Sequence, residues 1–321
     1  MTSSKWLAVL GAAAILVIGV AACGSSDDDT TGGGSGGGDL SGSIRIDGSS
    51  TVAPLTEAVA EEFMAENSGV RVTVGTSGTG GGFEKFCTGE TDISDASRAI
   101  EAEEEEACKK GGVGYEELTV ATDALTVMIN NENPVSCLTV DQLGAIWGPD
   151  SKLSNWSEIP NLKEDFDEEL VLFGPGTDSG TFDYFTEAIN GEEGVSRTDY
   201  NNVGEDDNAT VKGVEGAPGG MGYAGFSFYT ENEGKLKALE VDNGEGCVPP
   251  SIETAQDGSY APLSRPLFIY PSEQALKKPE VKAFIQYYLD NVNSAAETLG
   301  YVPLTEEQLT EAEEAAEKIG L

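Results

Sequence analysis

Residues 170–182, LVLFGPGTDSGTF, join a strand-like apolar run to the start of a helix through a loop of glycine and hydroxyl residues. The apolar run Leu170–Phe173 is typical of a buried strand. Phe182, Phe185 and Ile189 then recur at the spacing of one helix face. Glycine lets a backbone approach a ligand closely, and the free N–H groups of a helix N-terminus favour anions. The stretch therefore predicts an α/β unit whose strand-to-helix turn can hold an oxyanion.

Three earlier segments share this mixture of glycine and hydroxyl residues where a strand is predicted to meet a helix. They are Gly48-Ser49-Ser50-Thr51, Gly75–Phe83 and Asp92–Arg98. Each of them alone would be explained by a turn and a helix cap. Four such ends in one chain instead predict a tetrahedral oxyanion held by many neutral donors, because Ser and Thr hydroxyls add to the backbone N–H groups.

Strand and helix patterns alternate along the chain, which is typical of an α/β protein. About 280 residues follow Gly42, more than a single compact core usually takes. Leu118–Ile129 predicts a strand that crosses into a second lobe, and Pro266–Tyr270 predicts the strand that returns. We therefore expect two lobes with a hinge and a ligand cleft between them. The predicted lobes are residues 43–122 with 260–321, and residues 123–259.

Residues 1–22 have the pattern of a secretory signal, with a lysine ahead of the apolar run Trp6–Val20. That run is short for a membrane-spanning helix, which needs about 20 residues. Val20-Ala21-Ala22-Cys23 resembles a bacterial lipoprotein box, in which the cysteine is lipidated and becomes the mature N-terminus. An ordinary secretory signal with an incidental cysteine is the alternative. Residues 23–42 then predict a flexible Gly/Ser-rich tether, so we expect an exported protein lipid-anchored at the outer face of the cell membrane, at the cell surface or in a periplasm.

The remaining cysteines form an even set, which suits disulfides in an oxidising compartment. They are Cys87, Cys108, Cys137 and Cys247. Four cysteines allow three pairings, and their spacing alone does not choose among them. We predict Cys87–Cys108 and Cys137–Cys247, since each pair then closes within one predicted lobe.

The composition restricts the classes of partner and of chemistry. A net charge of −39 is unsuited to non-specific nucleic-acid binding, which needs Lys and Arg against the phosphates. It does not exclude an anionic ligand, because exposed charges are screened beyond roughly 8 Å at physiological salt. The sequence has no histidine, which excludes Ser-His-Asp and Cys-His catalysis and every His-ligated metal site.

Other motifs of catalysis are weak or missing in the sequence. Gly75–Gly82 lacks the lysine of a nucleotide phosphate loop. A pair of carboxylates for glycoside hydrolysis stays open on composition, although three Trp are few for a sugar cleft. We therefore expect a binding protein that is not an enzyme and has no cofactor and no metal.

Taken together, the four segments resemble the phosphate-binding proteins of bacterial high-affinity ABC phosphate importers, the PstS family. Further agreement comes from Ile146-Trp147, Asn155–Ile159, Gly222-Tyr223-Ala224 and Ser264–Tyr270. The resemblance implies a two-lobed periplasmic-binding-protein fold, with a mixed sheet flanked by helices in each lobe, that closes on orthophosphate. It implies a monomer that serves an ABC permease and its ATPase and meets the membrane only through a lipid anchor. Another tetrahedral oxyanion, sulfate or molybdate, is the alternative ligand, and an exported phosphate-ester hydrolase is the alternative class.

The resemblance also implies which residues bind phosphate. The family positions fall on Ser50, Thr51, Thr79 (with Ser77 as a near alternative), Asp95, Arg98, Ser179, Gly180 and Thr181. Pro175 stands where some members place an arginine, so Arg98 is expected to supply the cation as a bidentate fork. Asp95 is expected to accept a hydrogen bond from a P–OH group, which sulfate does not have at neutral pH.

Overall fold

The computed structural model describes residues 40–204, 206–318 and 321. The predicted signal peptide, Cys23 and residues 23–39 of the predicted tether lie outside the described residues. The strands are β1 (Gly42–Gly48), β2 (Val70–Gly75), β3 (Ile93–Ala96), β4 (Leu118–Asn130), β5 (Cys137–Thr139), β6 (Val171–Gly174), β7 (Asn201–Asn202), β8 (Gly220–Gly225), β9 (Leu236–Ala238), β10 (Glu240–Asp242), β11 (Cys247–Val248) and β12 (Ser264–Pro271). The helices are α1 (Ala53–Glu66), α2 (Gly78–Cys87), α3 (Ala102–Gly111), α4 (Val140–Trp147), α5 (Gly180–Asn190), α6 (Asp207–Gly216), α7 (Phe226–Thr230), α8 (Ile252–Gln256), α9 (Pro279–Leu299) and α10 (Glu306–Lys318).

The main sheet is mixed, and its strand order decides where loops from distant parts of the sequence meet. The order is β2-β1-β3-β12-β4-β8-β6-β7, with β9 beside β4. β1 runs parallel to β2 and β3, and β6 runs parallel to β8. β12 runs antiparallel between β3 and β4. The carboxyl ends of β1 and β3 therefore lie at one edge of the sheet, where β12 begins.

β4 is the long strand predicted to cross the molecule, and it pairs with different partners along its 13 residues. Its first part, up to Ala124, pairs with β12, and its second part, from Leu125, pairs with β8. β12 contains the predicted return strand. Pro266 is tolerated there because β12 has β4 on one side, whereas its pairing with β3 starts only at Phe268.

Two large hydrophobic clusters pack against this sheet. One joins α1, α9 and α10 to β1, β2 and β3, with the rings of Phe63 and Phe284 5.4 Å apart. The other joins α4 and α5 to β6, β8 and the second part of β4, and in it Trp147 lies edge-on to Phe185 and Tyr223. Burying each such side chain stabilises the fold by about 1.5–3 kcal/mol. The described chain nevertheless forms one compact unit, so the predicted lobe boundaries stay a prediction.

Both predicted disulfides are present. Cys87–Cys108 joins the end of α2 to α3, and Cys137–Cys247 joins β5 to β11 in a small second sheet. Each bond closes a loop within one of the predicted lobes. Within the described part of the chain, no helix has both the length and the apolar character needed to span a membrane.

Candidate functional site

A small pocket, with a cavity volume of about 30 Å³, opens at the sheet edge where β1 and β3 end and β12 begins. Its walls come from the loop before α1, the start of α2, the residues after β3, helix α5 with the loop that follows, and β12. The lining residues are Ser49, Ser50, Thr51, Gly78, Thr79, Ser97, Asp183, Tyr184, Glu187, Glu193 and Arg265. Hydroxyl and charged side chains dominate this set, so the pocket suits a small polar ligand.

The loop between β1 and α1 is held by backbone contacts with Asp95 and by the hydroxyl of Ser49, which accepts a hydrogen bond from the N–H of Thr51 at 3.2 Å. Gly48 has a φ of +148°, and a Cβ there would lie 2.0 Å from the carbonyl oxygen of Asp95. Only glycine fits this close approach. The N–H of Ser49 donates to the same oxygen at 2.9 Å. Because α1 begins without a side-chain cap, Ser50 and Thr51 do not serve as its helix caps.

A second pair of hydroxyls lies across from this loop. Thr79 Oγ1 and Ser97 Oγ are 3.1 Å apart, and the N–H of Ser97 donates to Thr79 Oγ1 at 3.2 Å. Ser77, which the sequence left as an alternative to Thr79, points elsewhere. Its N–H and its hydroxyl both donate to the carboxylate of Asp47. The start of α2 therefore presents Thr79, and not Ser77, to the pocket.

The cation of the pocket is Arg265, at the start of β12. Its Nη2 donates to Thr51 Oγ1 at 3.1 Å, and its Nη1 donates to Glu187 Oε2 at 3.2 Å. Its guanidinium carbon lies 3.6 Å from the centre of the Tyr184 ring. The side chain is only 15% exposed, so this charge lies largely out of water.

Asp123 is the buried counter-charge of Arg265. The two residues face each other across the β4–β12 pair, and Asp123 Oδ2 lies 3.7 Å from the Arg265 Nε. Burial raises the pKa of the Asp123 carboxyl, and the guanidinium offsets part of this shift. Sequence reasoning missed Arg265 as a functional residue, although the motif Ser264–Tyr270 contains it. Only the strand register brings it next to Asp123 and Thr51.

Arg98, the cation that the resemblance implied, is paired with acids of the α3 region. Its Nη1 and Nη2 each donate to one carboxylate oxygen of Glu104 at 2.8 Å. Its Nε also lies 3.3 Å from Glu101. The hydrogen bonds to Glu104 raise the pKa of Arg98, and both guanidinium edges are occupied by acids of the α3 region. The expectation that Arg98 is a phosphate ligand therefore finds no support in its contacts.

Asp95 lies behind the pocket, not in its wall. It has no exposed surface, and neither carboxyl oxygen has a hydrogen-bond partner of good geometry among the described residues. Burial raises the pKa of Asp95 to about 8; the nearby Thr56 hydroxyl lowers it, and the charges of Asp47 and Glu57 raise it. Ser97, two residues later, is the side chain of this segment that reaches the pocket.

The N-terminus of α5 comes next to the loop before α1. A Cβ built on Gly180 would lie 3.7 Å from Thr51 Oγ1, so the two predicted segments adjoin. Ser179 is the buried N-cap residue of α5 and makes no side-chain cap bond, and Thr181 is half-buried two residues further on. The structure thus brings Ser50, Thr51, Thr79 and Gly180 together, and it gives Ser77, Asp95 and Arg98 other surroundings.

The pocket combines one cation with acids and hydroxyls. Arg265 faces the α5 side, where Asp183 and Glu187 line the wall with Glu193 of the following loop. A guanidinium fork, several hydroxyls and a helix N-terminus are the donors that tetrahedral oxyanions accept. A metal-like group elsewhere, Cys137 with Glu240 and Cys247, lacks free thiolates because its cysteines are bonded to each other.

Comparisons with known proteins identify the family and the fold that this chain resembles. The family model described as a PBP superfamily domain matches residues 33–292. Protein SphX of Synechococcus elongatus is 50% identical over 276 residues, which cover 84% of this chain and 80% of that protein. Phosphate-binding protein PstS of Staphylococcus saprophyticus is 38% identical over 282 residues, covering 87% and 85%. The crystal structure of "a possible phosphate binding protein" from Planctomyces limnophilus is 44% identical, with a TM-score of 0.84 over 88% of this chain and 100% of that chain.

Proposed function

The chain belongs to the PstS family of the periplasmic-binding-protein superfamily, and from this premise we propose that it captures inorganic phosphate outside the cytoplasm and delivers it to an ABC importer. The predicted family and the predicted α/β fold class are confirmed. One observation carries the choice of ligand: the largely buried Arg265 lines one pocket together with hydroxyls from three separate segments. Such a set of donors matches the oxygens of a small tetrahedral anion.

In this proposal Arg265 takes the role that the sequence assigned to Arg98. Its guanidinium grips two phosphate oxygens, and Ser50, Thr51 and Thr79 supply hydroxyls from the side of β1 and α2. The α5 N-terminus adds the cradle expected from the sequence, formed by Ser179, Gly180 and Thr181. Backbone N–H groups at a helix start favour an anion, and α5 has eleven residues over which its dipole can build.

Selectivity for phosphate needs an acceptor for a P–OH group. Asp95 is buried behind the pocket, so we assign this role to Asp183, which lines the pocket in the first turn of α5. A carboxylate accepts a hydrogen bond from protonated phosphate but opposes fully ionised sulfate with an unpaired acceptor. Discrimination of this kind can reach about 10⁴–10⁵.

Calorimetric titration of the chain from residue 40 onward with phosphate, sulfate and molybdate tests the ligand. We expect tight binding of phosphate and no measurable heat with sulfate. Tight sulfate binding without phosphate heat would contradict the proposal. Because the relatives are binding proteins, we also expect no hydrolysis of phosphate esters by the pure protein.

Export and anchoring rest on the sequence alone. We propose that Cys23 is lipidated and that residues 23–42 tether a monomer to the outer face of the membrane. The measurement is membrane fractionation of the full-length protein and a Cys23→Ser variant, together with labelling by a fatty-acid analogue. Equal labelling and equal membrane association of the two proteins would contradict lipidation at this residue.

Capture of the anion is proposed to close the predicted lobes, 43–122 with 260–321 and 123–259. β4 and β12 connect them, and residues from both sides line the pocket. Small-angle X-ray scattering should then give a smaller radius of gyration with phosphate than without it. An unchanged radius with saturating phosphate would argue against closure.

A further inference from the structure

The guanidinium of Arg265 is already occupied by a carboxylate in the described structure. Its Nη1 donates to Glu187 Oε2 at 3.2 Å, while its Nη2 donates to Thr51 Oγ1 at 3.1 Å. Arg265 and Thr51, which are both assigned to phosphate, therefore bond to each other. The Nη1 of Arg265 is occupied by Glu187 of α5. A carboxylate offers an arginine the same kind of oxygen pair that phosphate offers.

We propose that Glu187 is a built-in competitor for the anion site, which must leave Arg265 before phosphate can take both edges of the guanidinium. This inference rests on the proposed function, because it presumes that phosphate binds at Arg265. It assigns Glu187 a role that no sequence motif indicated.

The two acids beside Arg265 differ in burial, and this difference decides which of them can leave the guanidinium. The Glu187 side chain is 49% exposed, whereas that of Asp123 is 11% exposed. Glu187 regains water when it turns away, and a half-exposed ion pair costs little to break. Asp123 is held in register opposite Arg265 on β4 and remains as its counter-charge throughout. One partner is thus exchangeable and the other is permanent.

The exchange also selects the ligand. Without any partner on Nη1, a largely buried guanidinium would keep Asp123 as its counter-charge but would leave one N–H edge without a hydrogen bond. Glu187 supplies that hydrogen bond in the empty pocket, so a weak or singly coordinating anion such as chloride gains little by replacing it. An anion with several oxygens gains the Glu187 position, the hydroxyls and the α5 N-terminus together. Glu187 therefore makes the site harder to occupy for anions that form few hydrogen bonds.

The variant Glu187→Gln tests the proposal by phosphate calorimetry on the chain from residue 40 onward. An amide competes poorly for a guanidinium, so phosphate affinity should rise about threefold. The melting temperature without phosphate should fall slightly, because the empty pocket loses its internal partner. Opposite changes in affinity and in ligand-free stability are the signature of a competitor, and a purely structural residue would lower both.

Glu193→Gln is the matched control. Glu193 lines the same pocket and carries the same charge, while the guanidinium hydrogen bonds of Arg265 go to Thr51 and Glu187. This variant measures how much phosphate affinity rises when any one negative charge is removed from the pocket. We expect a smaller rise in affinity than for Glu187→Gln. An equal gain, no gain, or a loss of affinity in Glu187→Gln overturns the competitor. If the unaltered protein itself gives no phosphate heat, the proposed function fails first.

Discussion

Two parts of the molecule each contain an aspartate and an arginine, but only one of them places its arginine in the wall of the pocket. At the end of β3, Asp95 is buried without a hydrogen-bond partner among the described residues, and Arg98 is gripped by Glu104. At the start of β12, Arg265 faces Asp123 across the strand pair and reaches into the pocket. The comparison shows that strand register, and not closeness in sequence, decides which charged residues work together.

The largest expected effect is the difference in phosphate affinity between variants of Arg265 and Arg98. Arg265→Ala should weaken phosphate binding by at least about 100-fold, because truncating one partner of a buried charge pair costs about 2–5 kcal/mol. Arg98→Ala should change affinity by less than about threefold, since its lost pair with Glu104 lies outside the pocket. Calorimetry on both variants is the measurement. The reverse order would restore Arg98 as the cation and break the comparison.

The two aspartates should differ in how they set stability against pH. Asp95 has a usual pKa of 3.8 and a folded pKa of about 8, so between these values the folded protein binds a proton that the unfolded chain releases. Stability due to this group is therefore complete below about pH 4 and is lost as pH rises through about 8. Asp95→Asn should flatten this dependence and stabilise the fold at pH 8 by roughly 1–3 kcal/mol.

Urea unfolding at pH 5, 7 and 8 would measure this effect, with Asp123→Asn as the contrast. Asp123 compensates a largely buried guanidinium, so its neutralisation should destabilise the fold at all three values. If Asp95→Asn lowers stability at pH 8, an ionised Asp95 has a partner that the described contacts do not include. Asp95 and Asp123 would then both be aspartates with a stabilising partner.

Hydroxyls in the pocket and hydroxyls bonded to Asp47 should also differ in their effect on phosphate affinity. Thr51→Val removes the oxygen that faces Arg265 and should weaken phosphate binding about tenfold, close to the cost of one hydrogen bond in a desolvated site. Ser77→Ala loses only bonds to Asp47 and serves as the control. Comparable losses in the two variants would show that Ser77 turns into the pocket when phosphate binds.

The smallest effect concerns stability around Arg98. Its pair with Glu104 is partly exposed, so Arg98→Ala should destabilise the fold by no more than about 1 kcal/mol. Thermal unfolding at low and high salt is the measurement, with the difference shrinking as salt rises. A larger, salt-independent loss would mean that Arg98 supports the turn after β3 more strongly than an ordinary surface ion pair.

Sequence reasoning was successful where local pattern determines the answer. The predicted crossing strand Leu118–Ile129 is β4, the strand Pro266–Tyr270 lies inside β12, and both disulfides pair as expected. Periodicity along a single segment carries that information. Three of the four glycine and hydroxyl segments contribute lining residues to one pocket, where the carboxyl ends of the parallel strands β1 and β3 lie together.

The finer assignment within the site depended on information that a single segment does not contain. Asp95 and Ser97 both belong to the third segment, and which of them reaches the pocket follows from how the chain turns after β3. Arg265 lies 214 residues from Thr51, and only the antiparallel pairing of β12 with β4 brings it to the loop before α1. The role of Glu187 follows only from its distance to that guanidinium.

The double pairing of β4 has a mechanical consequence for the proposed closure on an anion. The antiparallel ribbon of β4 and β12 can bend gradually along its length, since its hydrogen bonds resist a sharp fold at any single residue. Arg265 pairs with Asp123 on this ribbon, and β4 changes its partner from β12 to β8 between Ala124 and Leu125. Any bending of the ribbon would move the guanidinium with it, so under the proposed function anion binding and closure would depend on the same few residues.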